Sequence, residues 1–383
     1  MKKKILIIST SIIIVLAFIV GVANKNSKVY TEINGVRYAI LVNGSSATTF
    51  PSGNYKATVS CTNATGYWNQ AEQKMIVKNI TGNPTCDISF TSINSNDYLN
   101  TYISSLVGQT VGSGQVVSEN GIRYEGKDPI NYVMFNNELW RIIGVFDSSS
   151  HGQTGKNLVK IIRNEQIGGI AWEKNNNNDW PNSSLYALLN GAYYNHTVDT
   201  TDCYQFSTSV PATCDYTIIG IQNAYQGMIE NVTWYLGGGG KSGYTTYTPD
   251  SHYQYERTAD SVYNNSRPSS TTGKVGLVYL SDYGYAVLAS NCSRSTYMTS
   301  YDSQSSCLSY NWLFGAGSEW TISPFTSGLT SVWFMPIYGR TNTSATNNGY
   351  GFRPVVYLSE STYIVSGTGT QTNPYVLWMA TTN

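Results

Sequence analysis

The stretch Tyr132–Phe146, YVMFNNELWRIIGVF, decides the fold that the sequence predicts. Two apolar segments, 131–135 and 139–146, flank the short polar stretch 136–138, which reads Asn-Asn-Glu. Aromatic and β-branched runs on both sides of a short Asn-rich turn are typical of a β-hairpin. The run at 158–163, LVKIIR, predicts a third strand.

Strand-like runs continue toward the C-terminus, and long loops separate them. These runs lie at 275–280, 320–322, 332–335 and 355–358. Leu185, Leu188, Leu189 and Tyr193 predict one short amphipathic helix, capped by Asn182 or Ser183. The segment 237–272 opens with four glycines and is rich in Tyr, Ser and Thr, which is typical of a functional loop. Residues 119–378 are therefore predicted to form a mixed α/β domain with long loops.

A smaller β module is predicted before this domain. Strand-like runs at 36–42, 55–61, 75–78 and 86–90 indicate a small β-sandwich over residues 28–92. The spacing of Leu99, Ile103, Leu106 and Val107, with Asn96 or Asp97 as the cap, predicts a helix. Residues 93–118 are therefore interpreted as a helical linker that ends in a flexible connector at 108–114.

The N-terminus predicts export. Lys2, Lys3 and Lys4 precede the uncharged run 5–23, whose length suits a hydrocarbon core of about 30 Å. By the positive-inside rule, residues 1–4 form a cytoplasmic stub and 5–23 a single-pass membrane anchor, with the bulk extracellular. In the alternative interpretation, a signal peptide is cleaved near Ala23 and the protein is secreted.

The cysteine content agrees with export. Six cysteines form three neighbouring pairs: Cys61 with Cys86, Cys203 with Cys214, and Cys292 with Cys307. An even number of cysteines in an exported chain indicates disulfides, and each pair brackets one local segment, so sequential pairing is predicted. A zinc site is the competing interpretation, but the chain has no C-x-x-C motif and only three histidines.

Composition excludes several functional classes. Charged residues make up 12% of the 383 residues, about half the ~25% of an ordinary soluble protein. Lys and Arg total 23, as do Asp and Glu, so there is no basic excess and no nucleic-acid partner is predicted. The 31 tyrosines are the outlier.

No catalytic residue, metal site or cofactor is predicted. The exported part has no G-x-S-x-G, H-E-x-x-H or S-x-x-K motif. His151, His196 and His252 are each isolated in polar segments and are interpreted as solvated loop residues. Arg141 and Arg353 are interpreted as anchors that bond backbone carbonyls.

Three motifs resemble a known family. They are EWTISP at 319–324, VWF at 332–334 with Gly339-Arg340 after it, and GFRPV at 351–355. Together they are similar to the C-terminal end of bacterial C-type-lectin-like domains, the group that includes formylglycine-generating-enzyme folds. The segments 124–144 and 180–194 resemble exported cell-surface proteins of Firmicutes-type bacteria.

The resemblance implies an α+β fold, with a compact mixed domain whose long loops lie on one side. Two departures limit what it implies about activity. The nearest candidates for the copper-site cysteines of formylglycine-generating enzymes, Cys292 and Cys307, look like a structural disulfide. The calcium-lectin triplets E-P-N and W-N-D are absent. Neither oxidase activity nor calcium-dependent sugar binding is therefore expected.

The loops carry the functional prediction. Tyr, Ser, Asn and Gly are the residues of binding loops, because Tyr gives rigid contact area and the small polar residues adapt. The candidate ligand-binding residues are Tyr244, Tyr247, Tyr253, Tyr255, Tyr297, Tyr301 and Tyr338. The prediction is a membrane-anchored extracellular binding or adhesion protein for a glycan or a surface-protein ligand. A structural envelope or pilus-like component and an envelope-glycan hydrolase remain as alternatives.

Overall fold

The computed structural model describes residues 28–70, 72–206, 210–239, 246–258, 267–315 and 317–380, together with the backbone of 6–9. It divides into two compact units. Unit 1 comprises Met1–Tyr98, Ser361–Gly367 and Tyr375–Asn383, and unit 2 comprises Leu99–Glu360 and Thr368–Pro374.

The elements follow one another in chain order. The strands up to Tyr98 are β1 (Leu6–Ser9), β2 (Tyr30–Ile33), β3 (Val36–Val42), β4 (Ser45–Ala47), β5 (Tyr55–Thr62), β6 (Thr65–Asn69), β7 (Lys74–Lys78) and β8 (Thr85–Ser92), with a 3-10 turn at Ser95–Asp97. The elements from Leu99 to Glu360 are α1 (Leu99–Ser105), β9 (Thr110–Ser118), β10 (Ile122–Pro129), β11 (Tyr132–Phe135), β12 (Glu138–Phe146), α2 (Ser148–His151), β13 (Leu158–Arg163), β14 (Ile167–Ala171), α3 (Ser184–Leu188), β15 (Val198–Asp199), β16 (Cys214–Asp215), α4 (Asn223–Gln226), β17 (Val232–Tyr235), α5 (Pro249–Arg257), β18 (Ser270–Gly273), α6 (Leu280–Tyr285), α7 (Ser305–Ser309), β19 (Glu319–Pro324), β20 (Ser331–Met335), β21 (Asn342–Ala345), β22 (Gly349–Phe352) and β23 (Val355–Leu358). Short 3-10 turns lie at Trp180–Asn182 and Met298–Ser303, and a π turn follows α3 at Leu189–Tyr193. The last strands are β24 (Thr362–Ser366) and β25 (Tyr375–Met379).

Unit 1 is built from β-sheet. Strands β2, β3, β8 and β5 are hydrogen-bonded in that order, with β4 on β3, and β6 pairs with β7 in a separate ladder. Trp68 of β6 packs against Phe90 of β8 at 5.0 Å between ring centroids, so the two ladders share one apolar core. The Cys61–Cys86 disulfide joins directly paired positions of β5 and β8. The four strands predicted for this region are therefore confirmed.

The hairpin that decided the sequence prediction lies in the first sheet of unit 2. In this unit β23, β13, β12 and β11 are hydrogen-bonded in that order, and β10 pairs with β12 and β9. Asn136 and Asn137 both have positive φ, 57° and 59°, which fits a two-residue type I′ turn and places Glu138 in the strand. Position 144 requires glycine, because the Cβ of any other residue would collide with the carbonyl oxygen of Ile122 on β10.

The second sheet of unit 2 carries the segments with the family-like motifs. Its strand order is β14, β22, β19, β20 and β21. Trp320 and Trp333, on β19 and β20, are fully buried, and each indole nitrogen donates a hydrogen bond to a backbone carbonyl, of Ile170 and Gly239 respectively. This sheet and the loops beside it position the candidate site.

The predicted α+β class is wrong. Strand makes up 40% of the structure and helix 17%, so the fold is mostly β with several sheets. In the described ranges the longest helix, α5, has nine residues. Helices this short are marginal by themselves and here connect strands instead of forming a layer. The predicted flexible connector at 108–114 is also wrong in part, since β9 (Thr110–Ser118) pairs with β10 from Gly112 to Ser118.

The predicted membrane anchor is overturned as well. None of the helices in the described ranges is long and apolar enough to span a membrane. Within the predicted span, Leu6–Ser9 form a strand whose backbone pairs with residues 74–77 of β7. The rest of that span and the cleavage point near Ala23 lie outside the described residues. The structure contains three disulfides, and these suggest an extracellular location.

Candidate functional site

Three of the candidate tyrosines are exposed. Tyr255, Tyr297 and Tyr338 have 41%, 45% and 70% of their surface accessible to solvent. Tyr244 lies outside the described residues. The three exposed residues come from three different segments of unit 2: Tyr255 lies in helix α5, and Tyr297 and Tyr338 lie in loops.

Main-chain hydrogen bonds bring these segments together. The backbone nitrogen of Met298 donates to the carbonyl oxygen of Tyr247 at 3.0 Å, and that of Thr341 donates to the carbonyl oxygen of Met298 at 3.1 Å. Tyr297 precedes Met298, and Tyr338 lies three residues before Thr341. The loops around 247, 298 and 341 are therefore joined as neighbours, although they are distant in sequence.

A tight turn presents the most exposed side chains. The backbone nitrogen of Gly339 donates to the carbonyl oxygen of Pro336 at 2.8 Å, which closes a β-turn with Ile337 and Tyr338 at its two central positions. These two residues are 61% and 70% exposed. The hydroxyl of Tyr283, itself buried, donates to the carbonyl oxygen of Gly339 at 2.6 Å and fixes the turn to α6. Gly339 has a φ of 86°, a conformation that glycine adopts at no steric cost.

Tyr247 is buried and packs against one of the exposed tyrosines. It is 5% exposed, and its ring centroid lies 5.2 Å from that of His252 and 6.4 Å from that of Trp333. On its other side it meets the ring of Tyr255 edge-on at 5.5 Å. Tyr247 therefore fixes the position of the exposed Tyr255 on the core.

Tyr301 and Tyr253 are also held by intramolecular contacts. Tyr301 is fully buried, with its ring 6.1 Å from that of Tyr283, and burial raises the pKa of its hydroxyl. The guanidinium of Arg257 covers the ring of Tyr253 at 3.6 Å, and the hydroxyl of Tyr253 lies 3.2 Å from that of Ser150. The ring face of Tyr253 is thus already occupied.

A partly exposed ion pair links two of the segments that carry exposed tyrosines. Arg340 Nη1 is 3.4 Å from Asp302 Oδ2, with side-chain exposures of 47% and 33%. Arg340 follows the turn that carries Tyr338, and Asp302 belongs to the segment that carries Tyr297. The residues Tyr255, Tyr297, Ile337 and Tyr338, together with this ion pair, are called the tyrosine surface below. Sequence reasoning missed Ile337 and the ion pair, because no local pattern links position 302 to position 340.

Two of the three histidines are not solvated, contrary to the prediction. His252 is fully buried, and its two ring nitrogens have no hydrogen-bond partner in the part of the chain that the structure describes. Burial lowers the pKa of its imidazole to about 3. His151 is also fully buried, but its Nε2 lies 3.0 Å from the carbonyl oxygen of Phe146 and its Nδ1 accepts from the backbone of Gln153. His196 alone reaches solvent, with its Nε2 3.0 Å from Asn223 Oδ1.

The two arginines anchor the fold, and acidic groups are prominent among their partners. Arg353 makes two hydrogen bonds to the carboxylate of Glu319, at 2.7 and 2.6 Å, and one to the carbonyl oxygen of Leu313 at 3.0 Å. Arg141 donates to Asp128 Oδ1 at 3.0 Å and also bonds the carbonyl oxygen of Pro129 at 3.3 Å. The predicted carbonyl bonds are present, but the pairing of Arg353 with Glu319 was not anticipated.

A second polar feature is a small cavity. It is lined by Asn178, Asp179, Trp180, Leu236, Arg267, Pro268, Pro324 and Thr326. Trp180 Nε1 and Thr326 Oγ1 are buried without a hydrogen-bond partner among the described residues. The cavity has room for about one water molecule, which is too small for a sugar ring or a peptide side chain.

The described ranges place no cluster of three or more His, Cys, Asp or Glu residues where it could hold a metal ion. The tyrosine surface therefore has aromatic rings, hydroxyls and one ion pair as its chemistry. These groups can stack and hydrogen-bond, and they include no activated nucleophile.

No protein-family model, curated protein or solved structure matches this chain. The resemblance to C-type-lectin-like domains therefore stays a prediction, and the geometry of the tyrosine surface is the basis for a functional proposal.

Proposed function

We propose that this chain is an extracellular binding protein and that its tyrosine surface recognises a glycan. The observation that carries the proposal is that three exposed tyrosines lie on three segments that main-chain hydrogen bonds join. The three disulfides support an extracellular setting, where surface glycans are available as ligands.

The chemistry of the surface suits a sugar. A tyrosine ring offers an apolar face that packs against the C–H face of a pyranose, while its hydroxyl bonds sugar hydroxyls. The carboxylate of Asp302 adds hydrogen-bond acceptors and the guanidinium of Arg340 adds donors. Their opposite charges sum to zero, which suits a neutral ligand. The loops that carry the rings are tied to buried residues, so little conformational entropy is lost on binding.

The proposal is tested by applying the purified protein, with its disulfides intact, to a broad glycan array with and without calcium. We expect saturable binding to one class of sugar. The triple variant Tyr255→Ala/Tyr297→Ala/Tyr338→Ala should weaken that binding by roughly tenfold or more, because aromatic contacts at the centre of an interface each contribute about 2 kcal/mol.

Tyr67→Ala is the matched control, since Tyr67 is 44% exposed but belongs to unit 1. It should leave glycan binding unchanged. If a correctly folded triple variant binds glycan as well as wild type does, the tyrosine surface is not the binding site. Binding to proteins but to no glycan would replace the glycan with a protein ligand, and calcium dependence would require a metal site that the described residues do not offer.

A further inference from the structure

A buried lysine and a buried aspartate are in direct contact in the core of unit 2. Lys160 Nζ on β13 lies 2.6 Å from Asp282 Oδ2 on α6, and both side chains have 0% exposure. The other lysine–aspartate pairs in the described ranges differ, because the side chains of Lys28 and Lys56 are 41% and 42% exposed. Water therefore competes for those lysines and not for Lys160.

The surroundings of this pair are aromatic. The Lys160 amine lies 4.4 Å from the ring centroid of Tyr279, 5.2 Å from that of Phe146 and 5.3 Å from that of Tyr357. All three residues are almost completely buried. In such a site an ion pair loses the hydration that favours it in water, and an uncharged product gains in relative stability.

We propose that Lys160 and Asp282 join covalently through an amide bond between their side chains, with release of one water molecule. The bond forms between Nζ and Cγ, and the Cγ–Oδ2 bond breaks. Starting from the ammonium and carboxylate forms, two of the three ammonium hydrogens leave with Oδ2 as water and the third stays on the amide nitrogen. No oxidant, reductant or co-reactant is needed.

Arg123 is placed to assist the reaction. Its Nη1 donates to Asp282 Oδ1 at 2.9 Å, while its Nε and Nη2 bond the backbone carbonyls of Glu119 and Asn120. Oδ1 is the oxygen that becomes the amide carbonyl, so the guanidinium stabilises the negative charge that develops on it during attack. The second oxygen is also held, since the backbone nitrogen of Tyr279 donates to Oδ2 at 3.3 Å.

The charge of the cluster favours a nucleophilic amine. Two cations, Arg123 and Lys160, contact Asp282, and Arg257, which is itself paired with the buried Glu256, adds positive charge nearby. Burial is the main cause that lowers the pKa of Lys160, to about 8, which raises the share of the neutral amine. Amide formation cancels one positive and one negative charge, so the net charge of the cluster is the same before and after. Because the fold already holds the amine against the carboxylate, the reaction needs no diffusional encounter between the two groups, which lowers its entropic cost.

The test is mass spectrometry of the full protein after reduction of its disulfides. We expect the wild-type mass to be lower than the sequence mass by one water molecule. A proteolytic digest should contain one branched peptide that joins the segments around Lys160 and Asp282. The Lys56–Asp97 pair, with its exposed lysine, should appear only as separate peptides.

Lys160→Met is the control variant, because it keeps a side chain of similar size and leaves Asp282 paired with Arg123. Its mass should equal its sequence mass. Separate, unmodified peptides for Lys160 and Asp282 in the wild-type digest would show an ion pair only and overturn the proposal. A water deficit that persists in Lys160→Met would place the reaction elsewhere and overturn it as well. If Lys160→Met does not fold, the wild-type digest decides the question by itself.

Discussion

Replacing His252 by leucine is expected to stabilise the protein and to remove part of its acid sensitivity. His252 is fully buried, and among the described residues neither of its ring nitrogens has a hydrogen-bond partner. A buried polar group without a partner costs about 1–3 kcal/mol, and leucine has a similar volume. The free energy of unfolding at neutral pH should therefore rise by about 1–3 kcal/mol in His252→Leu.

The pH dependence gives a second, independent magnitude. The pKa of His252 is lowered from 6.5 to about 3 in the folded state, so below pH 6.5 the unfolded chain binds the proton first. The pH-dependent penalty from His252 is therefore absent above pH 6.5 and grows as the pH falls from 6.5 toward 3, because the unfolded chain takes up a proton that the folded protein excludes. One pH unit corresponds to about 1.4 kcal/mol, so wild type should lose about 2 kcal/mol from this residue by pH 5.

The measurement is urea unfolding of wild type, His252→Leu and His196→Gln at several pH values from about 8 to 5. The difference between wild type and His252→Leu should widen as the pH falls. His196→Gln is the control, because it also removes one histidine but at a position that reaches solvent. Parallel curves for wild type and His252→Leu would refute the burial of a neutral, unpartnered imidazole beneath Tyr247.

Two further predictions concern single contacts in unit 2. Arg353→Lys should lower the free energy of unfolding by about 2–3 kcal/mol, because lysine keeps the charge but cannot reproduce the two parallel bonds to Glu319; an unchanged urea midpoint would contradict this. Cys292→Ser/Cys307→Ser should cost about 3 kcal/mol for a loop with a sequence separation of 15, and it should weaken glycan binding because Tyr297 lies inside that loop. Urea unfolding measures the stability, and the affinity for the sugar found on the array measures binding. A double variant with unchanged stability and unchanged affinity would contradict the expectation.

The sequence predicts those features that depend on neighbours along the chain. The hairpin at 132–146 follows from apolar runs around two asparagines, and both asparagines adopt the left-handed conformation that such a turn requires. The disulfide pairs follow in the same way, because each pair closes a short loop. For the candidate site, the sequence supplied Tyr255, Tyr297 and Tyr338 from loop composition, but not which of the seven tyrosines reach solvent.

The fold class failed for a related reason. Helical spacing over one or two turns indicates a helix but does not fix its length, and the helices in the described ranges are too short to form a layer. The flexible connector around Gly112 became part of a strand, since its backbone partner, β10, lies after it in the chain.

By itself, the sequence determined where strands and turns lie and which cysteines pair, since these depend on interactions between residues that are close in the chain. Tertiary packing decides that Tyr338 is exposed while Tyr301 is buried, and that the ring nitrogens of His252 meet no hydrogen-bond partner within the described ranges. It also decides that Lys160 meets Asp282, which is 122 positions away. Contacts of this kind depend on how whole segments pack against each other. The periodicity of a segment shows which of its faces is buried, but it does not show which residues pack against that face.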